Sequence, residues 1–139
     1  MDVSEQEAKL KLRLAQLEKH ERCQEDFLIF VKNMWPDFIA GRHHKIIAEK
    51  LERVARGELK RLIINMAPRH TKSEFASFLF PAWMMGKNPK MKIIQATHTT
   101  ELAVNFGRKT KNLIDSDDYK DIFPSVNLSA DSKASGRWD

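Results

Sequence analysis

The segment 62–74, LIINMAPRHTKSE, joins an apolar run to a short polar turn that ends in a lysine and a serine. Backbone N–H groups at the start of a helix attract an anion, a lysine neutralises terminal phosphates, and a neighbouring hydroxyl can bind Mg²⁺. The consecutive Lys72 and Ser73 therefore predict a binding site for ATP and Mg²⁺.

The polar turn supplies the candidate ligands of the nucleotide. We predict Lys72 at the β- and γ-phosphates and Ser73 in the Mg²⁺ shell. Arg69 has the reach and permanent charge of an arginine finger in cis, which makes Arg69 and Lys72 the predicted catalytic residues; the alternative for Arg69 is a surface arginine. The remaining predicted cofactor-binding residues of the turn are Ala67, Pro68, His70, Thr71 and Glu74.

The turn departs from the pattern G-x-x-x-x-G-K-[ST], because Met66 and Thr71 stand at the two glycine positions. A β-branched residue resists the positive φ that such a turn normally has, so Thr71 predicts either a variant turn or a strained one. The alternative is a proline-containing strand-to-helix turn with a solvated lysine.

Further blocks accompany this turn: GRHH at 41–44, GELKRLIINM at 57–66, APRHTKSE at 67–74, FPAW at 80–83, GKNP at 86–89 and YKDIFP at 119–124. In the order and spacing of these blocks, the stretch 38–124 resembles phage terminase large subunits, the ATP-driven motors that package viral DNA. Terminases of this kind commonly carry a deviant Walker A motif with Pro-Arg before the lysine.

The resemblance implies an α/β fold, a P-loop NTPase-like parallel sheet with flanking helices. The expected organisation is an N-terminal helical segment over 1–36 and a partial ATPase domain over 37–139, without the acidic Walker B strand and the RNase H-like nuclease domain. The chain is thus expected to be an N-terminal fragment of a packaging ATPase. The resemblance also places the adenine end of the ATP pocket near His44, with Phe38, Arg42 and His43 as alternatives.

The partners that the resemblance implies are double-stranded viral DNA, the small terminase subunit and the portal protein, in a homo-oligomeric ring. The implied location is the host cytoplasm, docked on the procapsid portal. A membrane location is not expected, since no run approaches the ~18 apolar residues of a transmembrane helix. Residues 1–26 hold five basic and seven acidic residues, which leaves +7 of net charge for the rest of the chain and fits contact with phosphates.

The elements that position the turn follow from hydrophobic periodicity. Apolar runs at 62–66 and 91–96 flank a helical pattern at 73–85, which predicts a βαβ unit whose helix bends at Pro81. Helices are also expected over 4–25, 43–56 and 99–115. The first of them carries a leucine stripe that we expect to dock on the rest of the chain, with a partner subunit as the alternative: Leu10, Leu14 and Leu17.

For two other features, a structural role is favoured over a functional one. The adjacent His43 and His44 diverge by roughly 100° on a helix, so a packed or hydrogen-bonded imidazole is favoured over a metal site. Near the end of the second apolar run lie possible nucleotide-state sensors, although helix capping by Thr99 or Thr100 is favoured: Gln95, Thr97, His98 and Thr99.

No apolar run ending in paired carboxylates follows Ala96, so residues 1–139 should show at most trace ATP turnover. Two further hypotheses remain open. One is a non-enzymatic basic binding module whose turn is structural, and the other is a different ATPase of the P-loop class, such as a helicase. The single cysteine, Cys23, excludes an internal disulfide and is expected to be an ordinary thiol.

Overall fold

The computed structural model describes residues 3–129, whose regular secondary structure is helical throughout. Its helices are α1 (Val3–Glu25), α2 (Phe27–Met34), α3 (Arg42–Ala55), a π-helix (Glu74–Leu79), α4 (Phe80–Lys87), α5 (Thr100–Ile114) and α6 (Asp117–Ile122). The last part of the predicted second domain, 130–139, lies outside the described residues.

The predicted α/β fold is wrong for this chain, because residues 3–129 contain no β-strand. The segments 62–66 and 91–96 lack regular structure, and no backbone hydrogen bond joins one to the other. Leu62, Ile64 and Met66 pack against the core, whereas Ile63 is 84% exposed. An apolar run can specify an extended segment with one buried face, but a strand also needs a paired neighbour.

Three of the predicted helices are confirmed, with ends that differ by no more than one residue. Asp26 caps α2 by accepting the Ile29 N–H at 2.8 Å. Gly57 follows α3 with a φ of +76°, where the absence of a side chain makes the left-handed conformation easy. Thr99 caps α5, since its hydroxyl accepts the Leu102 N–H at 3.2 Å.

The leucine stripe of α1 does not form the expected intramolecular contact with any other part of residues 3–129. Leu10, Leu14 and Leu17 are between 53% and 70% exposed. The C-terminal end of α1 makes the contacts instead: Cys23 is buried, and the Gln24 side chain donates to the Ile122 carbonyl at 2.5 Å. Burial raises the pKa of the Cys23 thiol, as expected of an ordinary unreactive cysteine.

Aromatic side chains form the centre of the core. Phe27 is fully buried, with ring centroids 5.5 Å from Phe75, 5.5 Å from Phe80 and 5.4 Å from Trp83. The polar atoms of this cluster are satisfied: the Trp83 indole donates to the Cys23 carbonyl at 2.9 Å. The helix that follows the candidate turn is therefore fastened to α2 through aromatic packing.

Proline explains the irregular helix after the turn. The helical backbone is continuous over 72–87, but it has π-helical hydrogen bonding over Glu74–Leu79, with the Phe80 N–H bonded to the Phe75 carbonyl. Pro81 has no N–H for the Ser77 carbonyl, four residues earlier. The Gln95 side-chain amide donates to that carbonyl at 2.5 Å. Gln95, a predicted nucleotide sensor, thus has a structural partner in the helix.

Candidate phosphate-binding site

The turn between the first apolar run and the π-helix lies at the surface. Residues 66–74 line an open depression of about 550 Å³, and the segment 67–70 is exposed. Helical backbone begins directly behind it at residue 72. The sequence-predicted residues of the turn, Ala67 to Glu74, are therefore gathered around one surface depression.

Two residues of the turn have left-handed backbone conformations. The φ angles are +63° at Arg69 and +61° at Thr71. Left-handed conformations are uncommon for residues other than glycine, and a β-branched residue there is an outlier. The predicted alternatives were a variant turn or a strained one, and the structure shows the positive φ at Thr71 that a β-branched residue resists. Turns that mix right- and left-handed residues direct N–H groups into concavities that bind anions.

Hydrogen bonds within the turn hold this conformation. The Thr71 hydroxyl donates to the His70 carbonyl at 2.6 Å, and His70 Nδ1 lies 2.9 Å from the Pro68 carbonyl, to which it can only donate. The Phe75 N–H donates to the Thr71 carbonyl at 3.0 Å, which connects the turn to the helix. His70 thus has a structural contact within the loop.

His44 contacts the turn from the protein interior. Its Nδ1 accepts the Gly41 N–H at 2.9 Å, and its Nε2 lies 2.6 Å from the Thr71 hydroxyl oxygen. The ring packs against Phe38 and Phe75, with centroid distances of 4.7 and 5.2 Å. The predicted packed, hydrogen-bonded imidazole is confirmed. Since both ring nitrogens have protein partners, neither is left for a nucleotide base.

The pKa of His44 is lowered, first by burial and then by the neighbouring His43 and His70. The folded protein therefore favours the neutral ring, and stability should fall as the pH drops below about 6.5, the ordinary histidine value. Chemical denaturation between pH 8 and 5 measures this loss. The His44→Gln protein, which cannot titrate at this position, should show a shallower decline; equal declines would contradict the assignment.

The cationic side chains of the turn are unpaired within residues 3–129. None of the ion pairs there includes Arg69 or Lys72, whereas Lys109 binds Glu74 at 3.0 Å. Ser73 is exposed, and its hydroxyl makes no capping hydrogen bond. Lys72 and Ser73 thus retain the charge and the oxygen that the predicted site requires.

The Glu74 carboxylate has a partner on α5 in place of the predicted contact with the nucleotide. It binds Lys109 on α5, 35 residues later in the chain, beside a second depression of about 470 Å³. Glu74 was predicted to bind the nucleotide. No local pattern announces a contact between residues so far apart, so sequence reasoning missed this pair.

The predicted nucleotide-state sensors have structural partners or lie at the surface. Thr99 caps α5, which confirms the favoured capping alternative, and the Thr97 hydroxyl donates to the Thr99 carbonyl at 2.6 Å. His98 is exposed. The polar residues at the end of the segment 91–99 therefore lead into α5 and cap it.

Magnesium can be held at such a site with few protein ligands. Residues 3–129 contain no group of three or more His, Cys, Asp or Glu side chains that could bind a metal. Nucleotide-bound Mg²⁺ takes most ligands from phosphate and water and commonly one from a hydroxyl after the lysine. The free hydroxyl of Ser73 fits that single position.

No protein-family model, curated protein or solved structure significantly matches this chain. Within the described part of the chain, no helix is long and apolar enough to cross a membrane.

Proposed function

We propose that the turn 66–74 binds the phosphates of Mg-ATP. The observation that carries the proposal is the left-handed Thr71, which directly precedes Lys72 and Ser73. Among residues 3–129, Lys72 forms no ion pair and the Ser73 hydroxyl makes no capping hydrogen bond. Strained backbone conformations cost about 1–3 kcal/mol and concentrate at ligand-binding and active sites.

The roles of the side chains follow from their chemistry. Lys72 supplies a point charge to the terminal phosphates, and Ser73 supplies one oxygen to Mg²⁺. Arg69 is exposed, and its guanidinium would stabilise charge that develops on a transferred phosphoryl group. Backbone N–H groups at the start of the helix contribute the rest of the cradle.

In the wider proposal, the chain provides the nucleotide site of a phage terminase large subunit, which moves double-stranded DNA into a procapsid. Its partners would be the small terminase subunit and the portal protein, in a ring of identical copies in the host cytoplasm. The motif blocks flanking the turn support this proposal, as does the net charge of +7 over residues 27–139.

One observation favours a second candidate, a basic binding module that does not hydrolyse nucleotide. Residues 3–129 form no β-sheet, which is the usual support of a phosphate-binding loop in ATPases. In this case the turn would bind the phosphate backbone of DNA through the same N–H groups and cations.

Two titrations of the same protein distinguish the candidates. Calorimetric titration with Mg-ATP should give saturable binding that pyrophosphate displaces, because the phosphates carry the affinity. A binding module for DNA should instead show salt-dependent fluorescence anisotropy changes with a labelled duplex, displaced by unlabelled duplex and unaffected by Mg-ATP. Absence of Mg-ATP binding, with DNA binding that ATP leaves unchanged, would reject the leading proposal.

A further inference from the structure

We infer that His44 is a positioning residue that fastens Thr71 in its left-handed conformation and thereby sets the affinity of the turn for nucleotide phosphates. The inference about affinity depends on the proposed function, whereas the fastening of Thr71 does not. His44 is 27 residues before Thr71 and lies in the first turn of helix α3. The contact therefore joins the turn 66–74 to a separate helix.

The hydrogen-bond partners assign the protonation of the imidazole. The Gly41 N–H can only donate, so His44 Nδ1 must be an acceptor without a proton. In a neutral ring the proton then lies on Nε2, which donates to the Thr71 hydroxyl oxygen. The Thr71 hydroxyl in turn donates a hydrogen bond to the His70 carbonyl. All three hydrogen bonds have consistent directions only with this tautomer.

Three further rings pack against the imidazole. Phe38 and Phe75 lie 4.7 and 5.2 Å from it between ring centroids, and His43 lies 3.8 Å away. Because these rings limit the movement of the imidazole, its Nε2–H group stays in one place and determines where its acceptor, the Thr71 hydroxyl oxygen, lies. The Thr71 side chain is thus held at one place, and its backbone is held at a φ of +61°.

Removal of the Nε2 donor should let Thr71 leave the left-handed region. If only a fraction of molecules retains the binding conformation, the apparent dissociation constant rises by the inverse of that fraction. A strain of the usual size for such a residue corresponds to about ten- to a hundredfold weaker binding. Lys72 and Ser73 would still be present, but in a turn of altered shape.

Two substitutions separate the two ring nitrogens. The amide oxygen of His44→Asn can replace Nδ1 as acceptor for Gly41, but its short side chain has no donor near Thr71. His44→Gln reaches further and can donate to Thr71 in place of Nε2. Mg-ATP titration should therefore show a large loss of affinity for His44→Asn and a smaller loss for His44→Gln.

Thr71→Gly provides the decisive background, because glycine adopts a positive φ without strain. If His44 acts by fastening Thr71, His44→Asn should weaken Mg-ATP binding by less than about twofold in the Thr71→Gly protein. An equal loss of affinity in both backgrounds would overturn the inference. A general folding defect from His44→Asn would produce that equal loss.

Thermal unfolding measures the contact between His44 and Thr71 without any ligand. The proteins compared are the wild type, His44→Asn, Thr71→Gly and the double variant. Coupling between positions 44 and 71 in the free energy of unfolding should be clearly nonzero, and additive effects would overturn the fastening. Should the wild-type protein fail to bind Mg-ATP while this coupling is present, the proposed function fails and the role of His44 in holding Thr71 stands.

Discussion

Replacing Lys72 with alanine should reduce Mg-ATP binding by about a hundredfold or more, which abolishes it in an ordinary calorimetric titration. The side chain follows the left-handed Thr71 and forms none of the ion pairs found among residues 3–129. Its charge is therefore available to the terminal phosphates. The fold should survive, since Lys72 is not part of the buried core.

Lys32→Ala is the matched control for the loss of one positive charge. Lys32 is exposed on α2, outside the turn, and the substitution should leave Mg-ATP affinity almost unchanged. Circular dichroism of both variants should match that of the wild-type protein. Unchanged affinity in a folded Lys72→Ala protein would favour a structural turn, and equal losses in both variants would indicate nonspecific attraction by net charge.

Replacing Phe27 with alanine should lower the free energy of unfolding by about 3–5 kcal/mol, the usual range for a buried aromatic residue. Phe27 is fully buried and contacts Phe75, Phe80 and Trp83 within 5.5 Å between ring centroids. Its removal leaves a cavity where α2 meets the helix that follows the turn. Urea denaturation monitored by tryptophan fluorescence measures the loss.

Leu14→Ala is the control for Phe27→Ala, because Leu14 lies on the solvent-exposed part of α1. It should change the free energy of unfolding by less than about 0.5 kcal/mol. A large effect of Leu14→Ala would show that the leucine stripe is buried in solution. A small effect of Phe27→Ala would contradict the aromatic core described above.

Local patterns were sufficient for most helices and for the character of the turn. Hydrophobic spacing located α3 and α5, and residue types located their ends, as with Thr99 before α5 and Gly57 after α3. Thr71 at the glycine position predicted a variant or strained turn, and the structure has a positive φ there. Each of these predictions depends on interactions within a few residues.

Contacts between distant residues could not be predicted in this way. The apolar character of 62–66 and 91–96 suits a strand, but pairing depends on neighbours, and the described chain provides none. The leucine spacing of α1 does not specify what covers it. Gln95 follows an apolar run, yet its partner is a helix carbonyl that Pro81 leaves without a donor. The Lys109–Glu74 pair spans 35 residues.

The sequence pattern predicted the packing of His44 but not its hydrogen bond to Thr71. Its position on the inner side of α3 predicted a packed imidazole, which is confirmed, while the resemblance to terminases assigned it to the adenine end. In the structure both ring nitrogens are used by Gly41 and Thr71. The side chain affects the turn through a hydrogen bond to a residue that the pattern treats only as a missing glycine.

The most direct test of the central claim is an amide NMR titration with Mg-ATP, because backbone N–H groups are the proposed ligands. Saturable shifts should concentrate at the amides of residues 69–74, and the Lys72→Ala protein should lose them over the same concentrations. Shifts that cluster elsewhere, or an unperturbed turn at saturating Mg-ATP, would contradict the assignment of the turn 66–74 as a nucleotide-phosphate site.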